Sequence, residues 1–279
     1  MRSFLRINRD SRLALTSAGR GGLASFAQRL VRTPSPSTQE QAVAGLIQDE
    51  LARLGVRQVW VDRIGNVVVR IGSAARPVLL YDAHMDTVRV TDPDSWRYGP
   101  HGGVIKNGVL YGLGATDMKG SLAAMVYAAG LVQTHGHELK GSMVLAFVVQ
   151  EEPCEGLAVR MLLEEEEIKP DWVVLGEPTD LQISRGHRGR VMLRVTARGR
   201  SSHASQPHLG DNAVYAAARL IFGVEMMQDD LPKDPVLGPG TIAVTDIGSR
   251  SASLNAVPDM CTFYLDRRLT LGETASGAL

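Results

Sequence analysis

Three short apolar runs in this chain each lead, within a few positions, to an ionisable residue. Val78-Leu79-Leu80 runs through Tyr81 into His84 and Asp86, Met143–Val149 runs into Glu151 and Glu152, and Trp172–Leu175 runs into Glu177. Continuous apolar runs of this length fit strands covered on both faces, as in a parallel sheet. The stretches between them carry helical patterns. Residues 38–54 place Val43, Leu46, Ile47, Leu51 and Leu54 on one stripe, with Gly55 as a natural C-cap. Met118–Thr134 and residues 156–166 also read as helices, and Gly102–Gly114 as a glycine-rich loop. Gln58–Val61 and Asn66–Ile71 read as strands around the turn Asp62-Arg63-Ile64-Gly65. Strands alternating with helices predict an α/β fold with a mostly parallel sheet. Its strands would bring their carboxyl ends to one edge, where sites form.

At about residue 188 the pattern changes. Val191, Leu193, Val195 and Ala197 alternate with mostly polar or charged residues, the mark of a half-exposed antiparallel strand. A helix at 211–228 and strands at 240–248 and 259–268 complete a βαββ order, which predicts a second, smaller α+β domain. The expected organisation is a basic tail over 1–23, a catalytic-type domain over 24–188 and the second domain over 189–279. The tail carries Arg2, Arg6, Arg9, Arg12 and Arg20 against Asp10 alone. It reads as a disordered tail or an early-assigned start rather than a targeting segment. Near the other end, Thr270-Leu271-Gly272-Glu273 has the form of a capping box and predicts a new helix. The chain stops six residues later, as if truncated.

Composition closes off other classes. Thirty basic residues balance thirty acidic ones, so no charge excess points to nucleic acid. No apolar run approaches the roughly 18 residues that span a bilayer. Cys154 and Cys261 supply neither a disulfide framework nor a cysteine zinc site, and a reducing, cytoplasmic compartment is the default.

The residues at the strand ends suggest metal chemistry. In His84-Met85-Asp86 a neutral imidazole can ligate zinc or cobalt while a nearby carboxylate orients it. Asp117 stands in Gly112-Leu-Gly-Ala-Thr-Asp-Met-Lys-Gly120, just before a helix. With Glu151, Glu152 and Glu177 it would form a hard nitrogen–oxygen site for a divalent ion. Each acid alone reads as a turn or cap residue; their recurrence at strand ends argues for a site.

These motifs resemble the M20 family of co-catalytic metallohydrolases, which includes aminoacylases, acetylornithine deacetylase and succinyl-diaminopimelate desuccinylase. The resemblance rests on His84-Met-Asp86, Gly114-Ala-Thr-Asp117-Met-Lys-Gly120, Glu151-Glu152, Gly176-Glu177-Pro178 and Ser202-His203-Ala204, and runs from about residue 24 to the end. Gln150–Gly156, Arg185–Arg190 and Leu265–Thr270 are most similar to a branch of selenium-metabolism-linked hydrolases. The resemblance implies a zinc-exopeptidase-like domain with an inserted ferredoxin-like lid that also forms a homodimer. It implies two divalent ions, zinc or cobalt, and a small amide or peptide substrate. His84 and Glu177 would hold one ion, Glu152 the other, and Asp117 would bridge them, with Asp86 behind His84. Glu151 would be the general base that takes a proton from a water held between the ions. His203 would reach across the dimer to the oxyanion. Asn255 and Arg268 would hold the substrate's carboxylate, a task that suits an arginine fork.

One departure from the family bears on activity. The family closes its second metal site with a late histidine, whereas the histidines here stand at 84, 101, 135, 137, 187, 203 and 208. The first site keeps His84, Asp117 and Glu177, a viable set; the second keeps only Asp117 and Glu152. The expectation is one well-held site, a chain that is poorly active or inactive, and some uncovered apolar sheet surface. The other readings are a catalytically impaired remnant that retains dimerisation or metal binding, and a zinc aminopeptidase with no lid, which the segment around His203 disfavours.

Overall fold

The computed structural model describes residues 14–135, 139–154, 156–180 and 182–279. It divides into two compact units, one ending at residue 181 and the other running Gln182–Leu279.

The first unit begins with α1 (Ser17–Arg32), whose first turn is capped by the Thr16 hydroxyl accepting from the Gly19 N–H at 3.1 Å. The expected tail is therefore helical from Ser17 onward, because Phe26, Ala27, Leu30 and Val31 give this segment a buried face. Residues 1–13 lie outside the described residues. Helix α2 (Gln41–Arg53) buries Val43, Ala44, Ile47 and Leu51 and ends at Gly55, in the left-handed conformation (φ +76°) its C-cap position favours. Strands β1 (Gln58–Val61), β2 (Val67–Ile71) and β3 (Val78–His84) come next. The glycine-rich stretch, expected as a loop, contains a small hairpin of β4 (Val104–Lys106) and β5 (Val109–Tyr111). Then come α3 (Gly120–His135), β6 (Ser142–Val148), α4 (Leu157–Glu165) and β7 (Trp172–Leu175).

The sheet order is β1-β2-β6-β3-β7. β3 pairs in parallel with β6 and β7, and β2 alone runs against its neighbours. The sheet is thus mixed but mainly parallel, with β2, β3 and β6 forming its buried centre. Glu50 ties the helices together beneath it. Its buried carboxylate pairs with Arg29 of α1 and Arg53 of α2, and accepts from the Tyr127 hydroxyl of α3 at 2.8 Å. Burial alone would raise Glu50's pKa, but Arg53, Tyr127 and Arg29 together hold it below the usual carboxylate value.

β7 corrects a sequence expectation. Its apolar run predicts a buried strand, yet Trp172 is 62% exposed and Val173, Val174 and Leu175 are also exposed. Among the described residues β7 is the outer strand and pairs only with β3, and none of its unit covers it.

The second unit forms a three-stranded antiparallel sheet, β11-β12-β8, from β8 (Gly189–Arg198), β11 (Thr241–Arg250) and β12 (Met260–Leu269). Helix α5 (Ala213–Met226) packs on one face, capped by Asn212, whose side chain accepts from the Val214 and Tyr215 N–H groups. A two-residue ribbon, β9 (Lys233–Asp234) and β10 (Gly238–Pro239), precedes β11. Ala197, Ala213, Ala217, Cys261, Phe263 and Leu265 form the core. β12 alternates buried and half-buried residues along its length, as period-two patterning requires.

The helix predicted after Thr270 does not form. Glu273 does accept from the Thr270 N–H at 2.8 Å, but its carboxylate also pairs with buried Arg267. The Thr270 hydroxyl donates to the Gly238 carbonyl at 3.0 Å instead of capping Glu273. The chain leaves Thr270 through a turn and then makes one short 3₁₀ turn, Ser276–Ala278. No helix among the described residues is long and apolar enough to cross a membrane.

Candidate metal centre

β3 delivers His84 at the carboxyl edge of the sheet, with the ring buried. Its Nδ1 lies 2.9 Å from the backbone carbonyl of Asp86. A carbonyl only accepts, so Nδ1 carries a proton and Nε2 faces the cluster. Nε2 is 3.1 Å from Asp117 Oδ1 and 3.8 Å from Glu177 Oε1. Burial works against a charged ring, but Asp86, Asp117 and Glu177 outweigh it and raise His84 to about 10. The same field favours any cation at Nε2.

Asp117 is set by the turn before α3. Gly114 sits there at φ +73°, and a Cβ on it would lie 2.6 Å from the Thr87 methyl. Lys119 is buried behind the turn and donates to the carbonyls of Leu30 and Thr33, at 3.0 and 2.8 Å, closing the end of α1. Burial lowers Lys119 to about 8. Glu151 and Glu152 come after β6, and Glu177 after β7.

His84, Asp117 and Glu152 bring one nitrogen and two carboxylate oxygens within 4.8 Å of one another. One imidazole and two carboxylates within that reach fit a divalent ion such as zinc. Glu177 stands beside this trio, 3.8 Å from His84 Nε2, but is not within 4.8 Å of all its members. Burial raises the pKa of both Glu152 and Glu177, and other acids add to it. Asp82, one pleat before His84, is pushed to about 7 by burial and by Glu177 and Glu151, and its Oδ1 is buried without a hydrogen-bond partner. Acids therefore crowd one another at this centre and raise the pKa of Asp82, Glu152 and Glu177. Sequence reading missed Asp82 and Lys119, although both lie inside motifs it used.

Asp86 Oδ1 lies 3.5 Å from His84 Nδ1. Ser37 Oγ donates to the Asp86 carboxylate at 2.6 Å, and the Glu151 and Glu152 N–H groups donate at 3.1 and 3.3 Å. Burial would raise its pKa, but His84, Ser37 and the Glu151 amide lower it on balance.

The remaining predicted residues lie in the second unit. His203 is exposed, and its Nδ1 accepts from the Ser205 N–H at 3.2 Å and faces the Ser205 hydroxyl at 2.7 Å. With Nδ1 an acceptor, the neutral ring presents Nε2–H outward as a donor. Asn255 is also exposed, on a loop tied to that of His203 by the Ala204 N–H donating to the Asn255 carbonyl at 2.8 Å. Arg268 lies on β12 and grips Asp266 at 2.7 and 3.2 Å, while Arg190 reaches the same carboxylate at 3.0 Å.

The first unit thus gathers an imidazole and several carboxylates at one edge of an α/β sheet, in a chain with a separate α+β unit. Residues 80–262 match Peptidase family M20/M25/M40. The chain belongs to that family. It is 37% identical over 257 residues to the "Uncharacterized protein YgeY" of Escherichia coli (strain K12), covering 92% of this chain and 64% of that protein. It is 30% identical over 262 residues to a succinyl-diaminopimelate desuccinylase of Thioalkalivibrio sulfidiphilus (strain HL-EbGR7), covering 90% of this chain and 69% of that one. Among solved structures, it resembles the M20 family metallo-carboxypeptidase Sso-CP2 of Sulfolobus solfataricus with a TM-score of 0.72 at 20% identity, over 94% of this chain and 74% of that one. The chain thus spans less than two thirds of the YgeY protein's length.

Proposed function

We propose that the chain carries the metal centre of a hydrolase that cleaves amide bonds in N-acyl amino acids or small peptides. The observation that carries this reading is the His84–Asp117–Glu152 group with Glu151 next to it in sequence but outside the group. A carboxylate committed to a metal is a poor proton acceptor, so a neighbouring one is needed for that task. The desuccinylase and metallo-carboxypeptidase among the similar proteins support the same chemistry.

His84 and Glu177 would hold one ion, Glu152 a second, and Asp117 would serve both. A divalent cation at such a site supplies Lewis acidity, making water more acidic and a carbonyl more electrophilic. The chain's own residues do the rest. Asp86 orients His84 and anchors the Glu151–Glu152 turn, and Glu151 takes the water's proton. His203 of a second copy would reach across the dimer and offer Nε2–H to the developing oxyanion, and Asn255 and Arg268 would orient the substrate's carboxylate. A homodimer through the second unit is supported by α5, which leaves Tyr215, Leu220, Phe222 and Met226 exposed. Cys154 and Cys261 are free thiols, in keeping with a reducing compartment.

The second reading is a catalytically impaired chain that binds a single ion. It is favoured because the described residues bring only one group of ligand atoms within 4.8 Å. Elemental analysis of the purified chain separates the two readings: two tightly held ions support the first and one supports the second. Assays with N-acetyl and N-succinyl amino acids and dipeptides test the chemistry. A metal-loaded chain that turns over none of them would sink the hydrolase reading.

A further inference from the structure

The turn that carries Glu151 and Glu152 is held in an unusual way. Beyond β6 the sheet ladder stops, and four successive backbone N–H groups each need an acceptor. All four donate to side chains. The Val149 N–H goes to Asn66 Oδ1 at 3.0 Å and the Gln150 N–H to Glu40 Oε1 at 3.0 Å. Those of Glu151 and Glu152 go to the two oxygens of Asp86. The acceptors come from three remote segments: one before β2, one before α2 and one after β3. Glu40 and Asn66 are themselves buried.

Two of the acceptors, Glu40 and Asp86, meet at the segment Ser37–Thr38. Glu40 Oε1 takes the Thr38 N–H at 2.9 Å as well, and the neighbouring Ser37 hydroxyl holds Asp86. Asn66 is fixed in turn, its Nδ2 donating to Asp62 Oδ2 at 2.7 Å. Gln150 and Thr38 both adopt the left-handed region, at φ +55° and +74°. A non-glycine residue persists there only where its surroundings impose it.

We propose that Glu40 and Asn66 are positioning residues for the acidic pair: they fix the backbone of residues 149–152 so that Glu152 reaches the His84–Asp117 group and Glu151 stands beside it. The inference rests on the proposed metal centre for its consequence, but not for its geometry. Glu40 acts as a hydrogen-bond acceptor of a given length. A glutamine supplies the same oxygen at the same reach, whereas an aspartate falls one carbon–carbon bond short.

The experiment combines backbone amide exchange over residues 149–152 with cobalt(II) titration, followed by calorimetry and by the visible absorption of the bound ion. Glu40→Ala should speed exchange at Gln150 at least about tenfold and weaken cobalt binding about tenfold, the low end for losing a residue that supports metal ligands. Glu40→Gln should stay within about threefold of the parent chain in both, and Glu40→Asp should resemble alanine. If Glu40→Ala does not fold, the glutamine–aspartate pair makes the same comparison. Asn66→Ala should repeat the exchange effect at Val149. A purely structural brace would lower the melting temperature but leave cobalt affinity and the cobalt spectrum unchanged, and that result overturns the proposal. So does a glutamine variant as damaged as alanine, or unchanged amide exchange in all variants. A parent chain that binds no cobalt would overturn the metal reading and the brace's consequence with it. The exchange data would then show separately whether the turn is held as described.

Discussion

The two histidines singled out by sequence sit in opposite surroundings. His84 is buried, with Asp86, Asp117 and Glu177 around its ring and a carbonyl fixing its tautomer. His203 is exposed on a loop, its ring oriented by its neighbour Ser205. The first environment suits a ligand, where a fixed donor position matters more than reach. The second suits a group that meets its target only when the target arrives. Burial and bracing thus set the two rings apart, one fixed within its unit and the other open on a loop of its own.

The sharpest way to break this contrast is to exchange the two effects. His84→Ala should eliminate tight cobalt binding, a loss beyond the roughly hundredfold upper range of outer-sphere changes, by calorimetry. His203→Ala should leave cobalt affinity unchanged and lower the rate roughly 10²–10³-fold in any active preparation, as loss of an oxyanion donor does. Equal losses of metal from both variants would dissolve the distinction. The scaffold under His84 should also be stiff. Leu80→Ala, in the same strand and fully buried, should cost about 2–5 kcal/mol by chemical denaturation. The same change at Leu254, fully exposed in the second unit, should cost little.

Acid titration probes the helices beneath the sheet. Glu50 has its pKa lowered by folding, so the stability it contributes is present above its ordinary value of 4.5 and is lost as the pH falls through the lower folded value. Glu50→Gln should therefore melt lower at pH 7 and lose less of its melting temperature between pH 5 and 3, by scanning calorimetry. An acid limb as steep as the parent's would place the titrating group elsewhere. The smallest expected change is at α5: Phe222→Glu should shift any dimer toward monomer in sedimentation, without altering cobalt affinity.

Much of this arrangement was legible because it is local. β1 falls on the predicted residues, and His84, Asp117 and Glu152 meet because strand ends and the turn before a helix converge on one sheet edge. The rest depends on contacts that no local pattern carries. Glu40 and Gln150 are 110 positions apart, and Asn66 and Val149 are 83 apart, so nothing around Glu40 marks it as an acceptor for a distant turn. The predicted helix after Thr270 failed because Arg267 engages Glu273 and Gly238 takes the Thr270 hydroxyl. Periodicity also shows which side chains seek burial, not whether anything arrives to bury them, which is why β7 was misread.

That strand has a practical consequence. An outer strand of Trp-Val-Val-Leu, paired on one side only, offers its other edge as a template on which another extended segment can dock. Its side chains would reward such docking, since both its faces are exposed and apolar. In concentrated solution the chain should therefore self-associate through β7. A lysine placed at Val173, in the manner of natural gatekeepers, should keep it dispersed.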